Sequence, residues 1–473
     1  MSRHDAGFTL VELTVALMAG LIVAMGIVGL SRAATNTFNE EMRSAGAEAA
    51  LRGAIDRLRA DLQRAGYMST GNILTDPAMP KSATAATTVD QIPATFNLGL
   101  RRLASILLTD GGSLANNGLA LSTSQSPALA PDLIQIGGNM TTTEQFEVAL
   151  IPPTAIGGPN GGTCQRILLS PTSGAMYRLN AVGAPAVAGE ELRELFQPVP
   201  LGLATQFIVR VVDSSGRTQY VATCPEVASG NGTAGLSTAG FDPVSGYPYV
   251  DIDAVGVGGT QLLTAAQTGG VSSFTGYGAG AWINPVQIVQ WEITGPGGTD
   301  AEPAQYVKAL NNLPLQAGTA DPNKYDLMRT YVDAMGVLVP QTSEIVAEFA
   351  VDLDFAFTVE TAANNQSGAT SLVTYPFDST LSNAWAPSAA AAAPAANAGP
   401  ERIRSVRARL VTRTALPDRR ATIPAQNAGT EGFLYRYCVV APCPATPDNT
   451  MRWARGRTMT TEVTLSNQSR SFY

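Results

Sequence analysis

The sequence is poorest in histidine. Its 473 residues hold a single one, His4, near the very start. If the opening stretch is removed, the remaining chain has none. That excludes histidine acid–base catalysis, a Ser-His-Asp triad and histidine-ligated zinc. Charge is scarce as well, at 14% of residues, against about 25% in an ordinary soluble domain. Lysine is confined to Lys81, Lys308 and Lys324, so the basic residues are almost all arginine. A net charge of −8 argues against wholesale nucleic-acid binding, which needs a basic surface. The four cysteines, Cys164, Cys224, Cys438 and Cys443, form no C-x-x-C pair, which speaks against a zinc ribbon or a thioredoxin-like motif. Glycine-rich runs such as Gly157-Gly158 lack the Lys-Ser/Thr of a phosphate loop. The expectation is a protein that is not an enzyme and holds no cofactor or metal.

What is plentiful is apolar and small. Hydrophobic residues make up 45%, with 46 Gly and 30 Pro, a mixture that reads as a β-rich head with long loops. The length suits two or three domains, or one core with large insertions. Charge is uneven: residues 401–473 hold twelve Arg against five acids, Glu401, Asp418, Glu431, Asp448 and Glu462.

The chain opens with seven residues ending in Gly7, followed by Phe8-Thr9-Leu10-Val11-Glu12-Leu13. Leu13 to Leu30 is an 18-residue run without a charge. About 20 helical residues cross a bilayer core of about 30 Å, so this segment reads as a transmembrane helix. A secretory signal peptide fits less well. Arg3 is offset by Asp5, the apolar run is too long, and Ser31-Arg32-Ala33-Ala34 is a poor cleavage site. Glu12 is the discordant residue, because a carboxylate in a membrane segment costs a few kcal/mol and calls for a partner.

Gly7-Phe8-Thr9-Leu10-Val11-Glu12 resembles the processing motif of type IV pilins and pseudopilins. In that family a prepilin peptidase cuts after the glycine and methylates the new N-terminal residue. The resemblance implies cleavage between Gly7 and Phe8, N-methylation of Phe8 and an assembly role for Glu12. A neighbouring subunit's new ammonium would answer the Glu12 carboxylate in a low-dielectric core.

After Leu30 the pattern turns amphipathic without a breaker. Phe38, Met42, Ala45, Ala49, Ile55, Leu58 and Leu62 recur at steps of three and four, and this stripe reads as core packing. Glu48 and Arg52 form an i,i+4 pair, and Gly66 is a natural stop. One helix from Phe8 to Ala65 is expected. Asp61-Leu62, followed by Ala65-Gly66-Tyr67, is similar to the segment that closes this helix in PilW-like minor pilins. Ala130 to Ile136, Leu327-Met328-Arg329-Thr330 and Glu344 to Phe349 are also reminiscent of that group.

Period-two alternation predicts strands at Phe207–Val212, Val286–Ile293, Phe349–Val359, Ile403–Val411 and Thr458–Leu465. In the fourth, Val406, Ala408 and Leu410 share one face, while Arg407 and Arg409 read as its solvent face. Insertions are expected at 68–125, 225–285 and 360–400, the last with the low-complexity run Ser388 to Ala396. Asp251-Ile252-Asp253 could suggest calcium but lacks an EF-hand pattern, so a plain loop is preferred. Local proximity favours disulfides Cys438–Cys443 and Cys164–Cys224, in an oxidising compartment.

The expected fold is α+β, a long N-terminal helix on an antiparallel sheet. Residues 1–7 are the leader, 8–30 the transmembrane half of the helix, 31–66 its amphipathic half and 67–473 the head. The resemblance implies a minor pilin in the initiating or tip complex of a type IV pilus. It would sit singly in the inner membrane with its head in the periplasm, then move to the pilus at the cell surface. Its partners would be a prepilin peptidase, other minor and major pilins, the inner-membrane assembly platform and the lipid bilayer, but not nucleic acid. A minor pseudopilin of a type II secretion system is one alternative. A tip adhesin or DNA-uptake subunit is another.

Overall fold

A computed structural model describes residues 9–79, 98–109, 111, 129, 131–151, 156–157, 163–180, 185–199, 204–226, 239–242, 245–253, 277–294, 325–360, 372–377, 399–417, 436–439 and 453–468. The fold is α+β. One helix, Leu10–Gln63, runs for 54 residues, about 80 Å at 1.5 Å per residue. Its most apolar window has a mean hydropathy of 2.5 and no residue buried. By length and composition the helix can cross a membrane.

The strands form a twelve-stranded and a five-stranded sheet, and all pairings between described strands are antiparallel. The larger is organised by the strand Trp282–Thr294. Its first residues pair with Ile208–Val212 and Phe146–Leu150. The remainder lies between Leu133–Gly138 and Asp326–Val332. One strand thus joins two cores. In the lobe core, Phe146, Ile167, Val209, Val250 and Ile283 pack with Met176, Leu192 and Phe196, from the helices Gly174–Asn180 and Pro185–Phe196. In the other core, Leu51, Ala54, Ile55, Leu58 and Leu62 of the long helix meet Ile134, Trp291, Leu327, Leu353, Val406, Leu410 and Val463. The helix crosses the strands Glu344–Glu348, Ile403–Arg413 and Trp453–Thr464.

Phe349 has a positive φ of 56° between Glu344–Glu348 and Ala350–Glu360. It marks the corner where the chain leaves one sheet for the other. At the helix end, Gly66 adopts a φ of +70°, the left-handed conformation that glycine takes at little cost. A Cβ on Gly138 would collide with the Arg64 carbonyl oxygen. That contact lets the helix end abut a strand, and the Gly66 N–H donates to the Gly137 carbonyl at 2.9 Å.

Several expectations hold. The helix extends from Leu10 to Gln63 rather than Phe8 to Ala65. The Glu48–Arg52 pair is present at 2.6 Å. The five anticipated strands appear as Ile208–Val212, Trp282–Thr294, Ala350–Glu360, Ile403–Arg413 and Trp453–Thr464.

Others need correction. Phe38 and Met42 are 61% and 58% exposed, and Ala45 and Ala49 are exposed too. At 3.6 residues per turn these four point roughly 180° away from Leu58, so they form a second apolar stripe and not the core-facing one. The sheet side is Leu51, Ala54, Ile55, Leu58, Asp61 and Leu62. The stretch 225–285 is no simple insertion, because Ala239–Phe241 and Pro248–Asp253 are strands of the large sheet. Ile106–Thr109 likewise belongs to that sheet. Most of 360–400, including Ser388 to Ala396, lies outside the described residues, although Leu372–Tyr375 pairs as an edge strand.

Candidate functional site

Gly7 and Phe8 lie outside the described residues. Thr9 is the helix N-cap, and its hydroxyl accepts from the Glu12 N–H at 3.3 Å. The Glu12 carboxylate in turn accepts from the Thr9 N–H at 3.1 Å and from its hydroxyl at 3.0 Å. This is a capping box, which satisfies two otherwise orphaned backbone donors at the helix start. The reading of Glu12 from sequence missed it, although Thr-x-x-Glu before an apolar run is its signature. On either side of Glu12 the helix surface is bare: Leu10, Val11, Leu17, Ile22, Val28 and Leu30 are all more than half exposed.

The first hydrogen bonds between helix and head, among the described residues, come at Ser44 and Ala47. Arg457 donates to the Ser44 hydroxyl at 2.7 Å, and the Thr412 hydroxyl donates to the Ala47 carbonyl at 3.4 Å. Further along, Asp61 enters the core with 5% exposure. Its carboxylate accepts from the Trp291 indole N–H at 3.0 Å and from Arg329 Nε at 2.7 Å. Arg329 approaches Glu344 at 3.9 Å, and Glu344 approaches Arg57 at 3.6 Å. Burial opposes the charge on Arg329, but the Asp61 carboxylate outweighs it and holds the guanidinium above its ordinary pKa. Sequence motifs noted separately thus meet in space. Asp61 belongs to the helix-closing segment, and Arg329 and Glu344 to the two later ones. Asp132, from the remaining segment, accepts from the Phe355 N–H at 3.1 Å and so ties the two sheets together.

Among the described arginines of the C-terminal sheet, Arg409, Arg413 and Arg436 are buried. Arg409 is 4% exposed and lies between Asp352 and Asp354, so it is not on the solvent face that alternation suggested. Arg407 is only part-exposed and sits over the Phe377 ring. Arg404 is bound to Glu360. Arg413 is buried, lies between the Phe349 and Tyr437 rings and donates to the Thr414 carbonyl. The period-two pattern places these residues correctly in register. What it could not show is that their face is covered. Asp251 is in a strand rather than a loop, and both its oxygens receive Arg166 at 2.9 Å. Asp253 accepts from Gln206.

Cys164 and Cys224 are disulfide-bonded, with Cα atoms 5.9 Å apart and a sequence separation of 60. Cys438 is disulfide-bonded, and Cys443 lies outside the described residues. The first bridge ties Thr163–Leu169 to the segment after Thr218–Ala222, beside Pro248–Asp253. Replacing Cys164 and Cys224 together by Ser is expected to destabilise the lobe by about 2–4 kcal/mol. The denaturant midpoint of the lobe transition measures this, and an unchanged midpoint contradicts it. No family model, curated protein or solved structure matches the chain.

Proposed function

We propose that this chain is a type IV pilin-like subunit, a minor pilin that joins a filament through its N-terminal helix. The observation that carries the reading is the uncovered apolar helix. From Leu10 to Met42 its large hydrophobic side chains are exposed, and its own head leaves them so. An apolar surface continuous from Leu13 to Leu30 needs a cover. A bilayer would cover Leu13 to Leu30 before assembly, and neighbouring helices would cover it together with Phe38 and Met42 afterwards. The capping box at Thr9 starts the helix directly behind the Gly7–Phe8 junction, where the leader would be removed.

In this reading the protein acts by assembly and not by catalysis. Prepilin peptidase cuts after Gly7 and methylates Phe8. The subunit waits in the inner membrane with its head in the periplasm, and then enters the initiating or tip complex with other minor pilins. A lobe with its own core, added to the helix-bearing core, makes a bulky head. Such bulk suits a position used once better than a repeating shaft. Of the twelve arginines in residues 401–473, Arg409 and Arg413 are buried, so these two offer no surface to DNA.

Mass spectrometry of the N-terminus of the protein purified from membranes tests the proposal. The expected result is a chain beginning with N-methylated Phe8. An intact Met1, or a start near Thr35, would overturn it.

A further inference from the structure

The sheet-facing stripe of the helix is degenerate. Leu51, Ile55, Leu58 and Leu62 follow one another at steps of three and four, with Ala54 beside Ile55, so a slip of one turn toward the helix start re-presents apolar residues to the same sheet. Apolar packing of this kind stabilises the contact but specifies its register poorly. A buried ion pair has the opposite character. Its desolvation consumes most of what its attraction provides, so similar-sized apolar groups would hold the helix as well or better. What the pair does supply is discrimination between registers. Only Asp61 can answer Arg329 and Trp291 together, at 2.7 and 3.0 Å. Slipping by one turn brings Arg57 or Ala65 opposite Arg329 instead. The first sets two guanidinium groups against each other, and the second leaves the buried Arg329 with only the half-exposed Glu344, at 3.9 Å, as counter-ion.

We propose that Asp61 is a positioning residue: with Arg329 and Trp291 it locks the register and rotation of the helix against the head. The lock keeps the second stripe, Phe38, Met42, Ala45 and Ala49, on the side away from the sheet. The network continues outward through Glu344 to Arg57, which fixes the same rotation at a second point one turn earlier on the helix. The lock itself stands on the joint alone. Its consequence, that the outward stripe is presented to neighbouring helices, rests on the pilin-like reading.

The experiment uses the full chain in detergent micelles, with spin labels on cysteines placed at Ala45 and Val337, both exposed positions. Asp61→Asn alone, which breaks the pair, should reduce the folding equilibrium constant by about 100-fold or more. Relative to Trp291→Phe alone, which leaves a cavity of its own, the combined variant Asp61→Leu, Arg329→Met, Trp291→Phe should keep or raise the melting temperature. It should nevertheless convert a single narrow label-to-label distance into a broad or multiple distribution. A single distance equal to that of the parent chain overturns the lock. A large loss of melting temperature relative to Trp291→Phe alone also overturns it, because the network would then be a source of stability and not of register. Recovery in sheared filaments separates the two readings. A combined variant with scattered distances that still assembles normally leaves the lock in place and removes its consequence for assembly.

Discussion

A chain that begins at Asn39 is expected to fold as a soluble protein, whereas one that begins at Tyr67 is expected not to fold. Before Ser44 the helix makes no hydrogen bond to the head among the described residues, so removing residues 1–38 costs the head little. The cut also suits the new helix start, because Asn39 is a good N-cap and Glu40 and Glu41 fall in the first turn. Cutting at Tyr67 removes Leu51, Ile55, Leu58 and Leu62, each 4% exposed or less. At about 1.5–3 kcal/mol for each such side chain, the loss is roughly 6–12 kcal/mol, comparable with the whole stability of a typical domain. Arg329 would in addition lose its buried counter-ion. Circular dichroism with thermal unfolding, and gel filtration without detergent, would measure both chains. Equal cooperative melts for the two would show that the helix is not part of the core.

The contrast between the halves of this helix explains what was legible in the sequence. The first half was readable because a run from Leu13 to Leu30 without a charge has few other uses. In the second half the period was right but the face was wrong. Two apolar stripes share the same spacing, and nothing local says which one meets a sheet. Asp61 and Asp132 could be noticed only as parts of motifs, since their partners Arg329 and Phe355 lie 268 and 223 positions away. The strands of the smaller sheet announced themselves by alternation, yet the burial of Arg409 depends on Asp352 and Asp354 of a neighbouring strand. In the lobe, Phe146–Leu150, Thr163–Leu169 and Thr218–Ala222 are short strands. Thr163–Leu169 shows no regular alternation, and Thr218–Ala222 is buried along its whole length, so neither carries a period-two signal.

Glu12→Gln is expected to leave the protein processed and resident in the membrane but absent from filaments. The structure makes this substitution a clean test, because glutamine also completes a capping box. Its amide oxygen can accept from the Thr9 N–H and hydroxyl as the carboxylate does at 3.1 and 3.0 Å. The start of the helix is therefore kept, and only the charge is lost. Insertion should be unchanged or easier, since the cost of a carboxylate in the membrane disappears. Docking should lose the group that answers a neighbour's Phe8 ammonium, leaving that ammonium buried without a counter-ion at a cost of about 3–5 kcal/mol. Thr9→Ala is the complementary control. It removes the hydroxyl half of the box, costs about 1 kcal/mol of helix stability and retains the carboxylate, so filament entry should largely survive. The amount of each variant in sheared filaments, compared with the amount processed in membranes, gives the answer. If Glu12→Gln enters at the level of the unaltered protein while Thr9→Ala does not, Glu12 serves the helix start of its own chain. Assembly must then be driven by the apolar stripe alone.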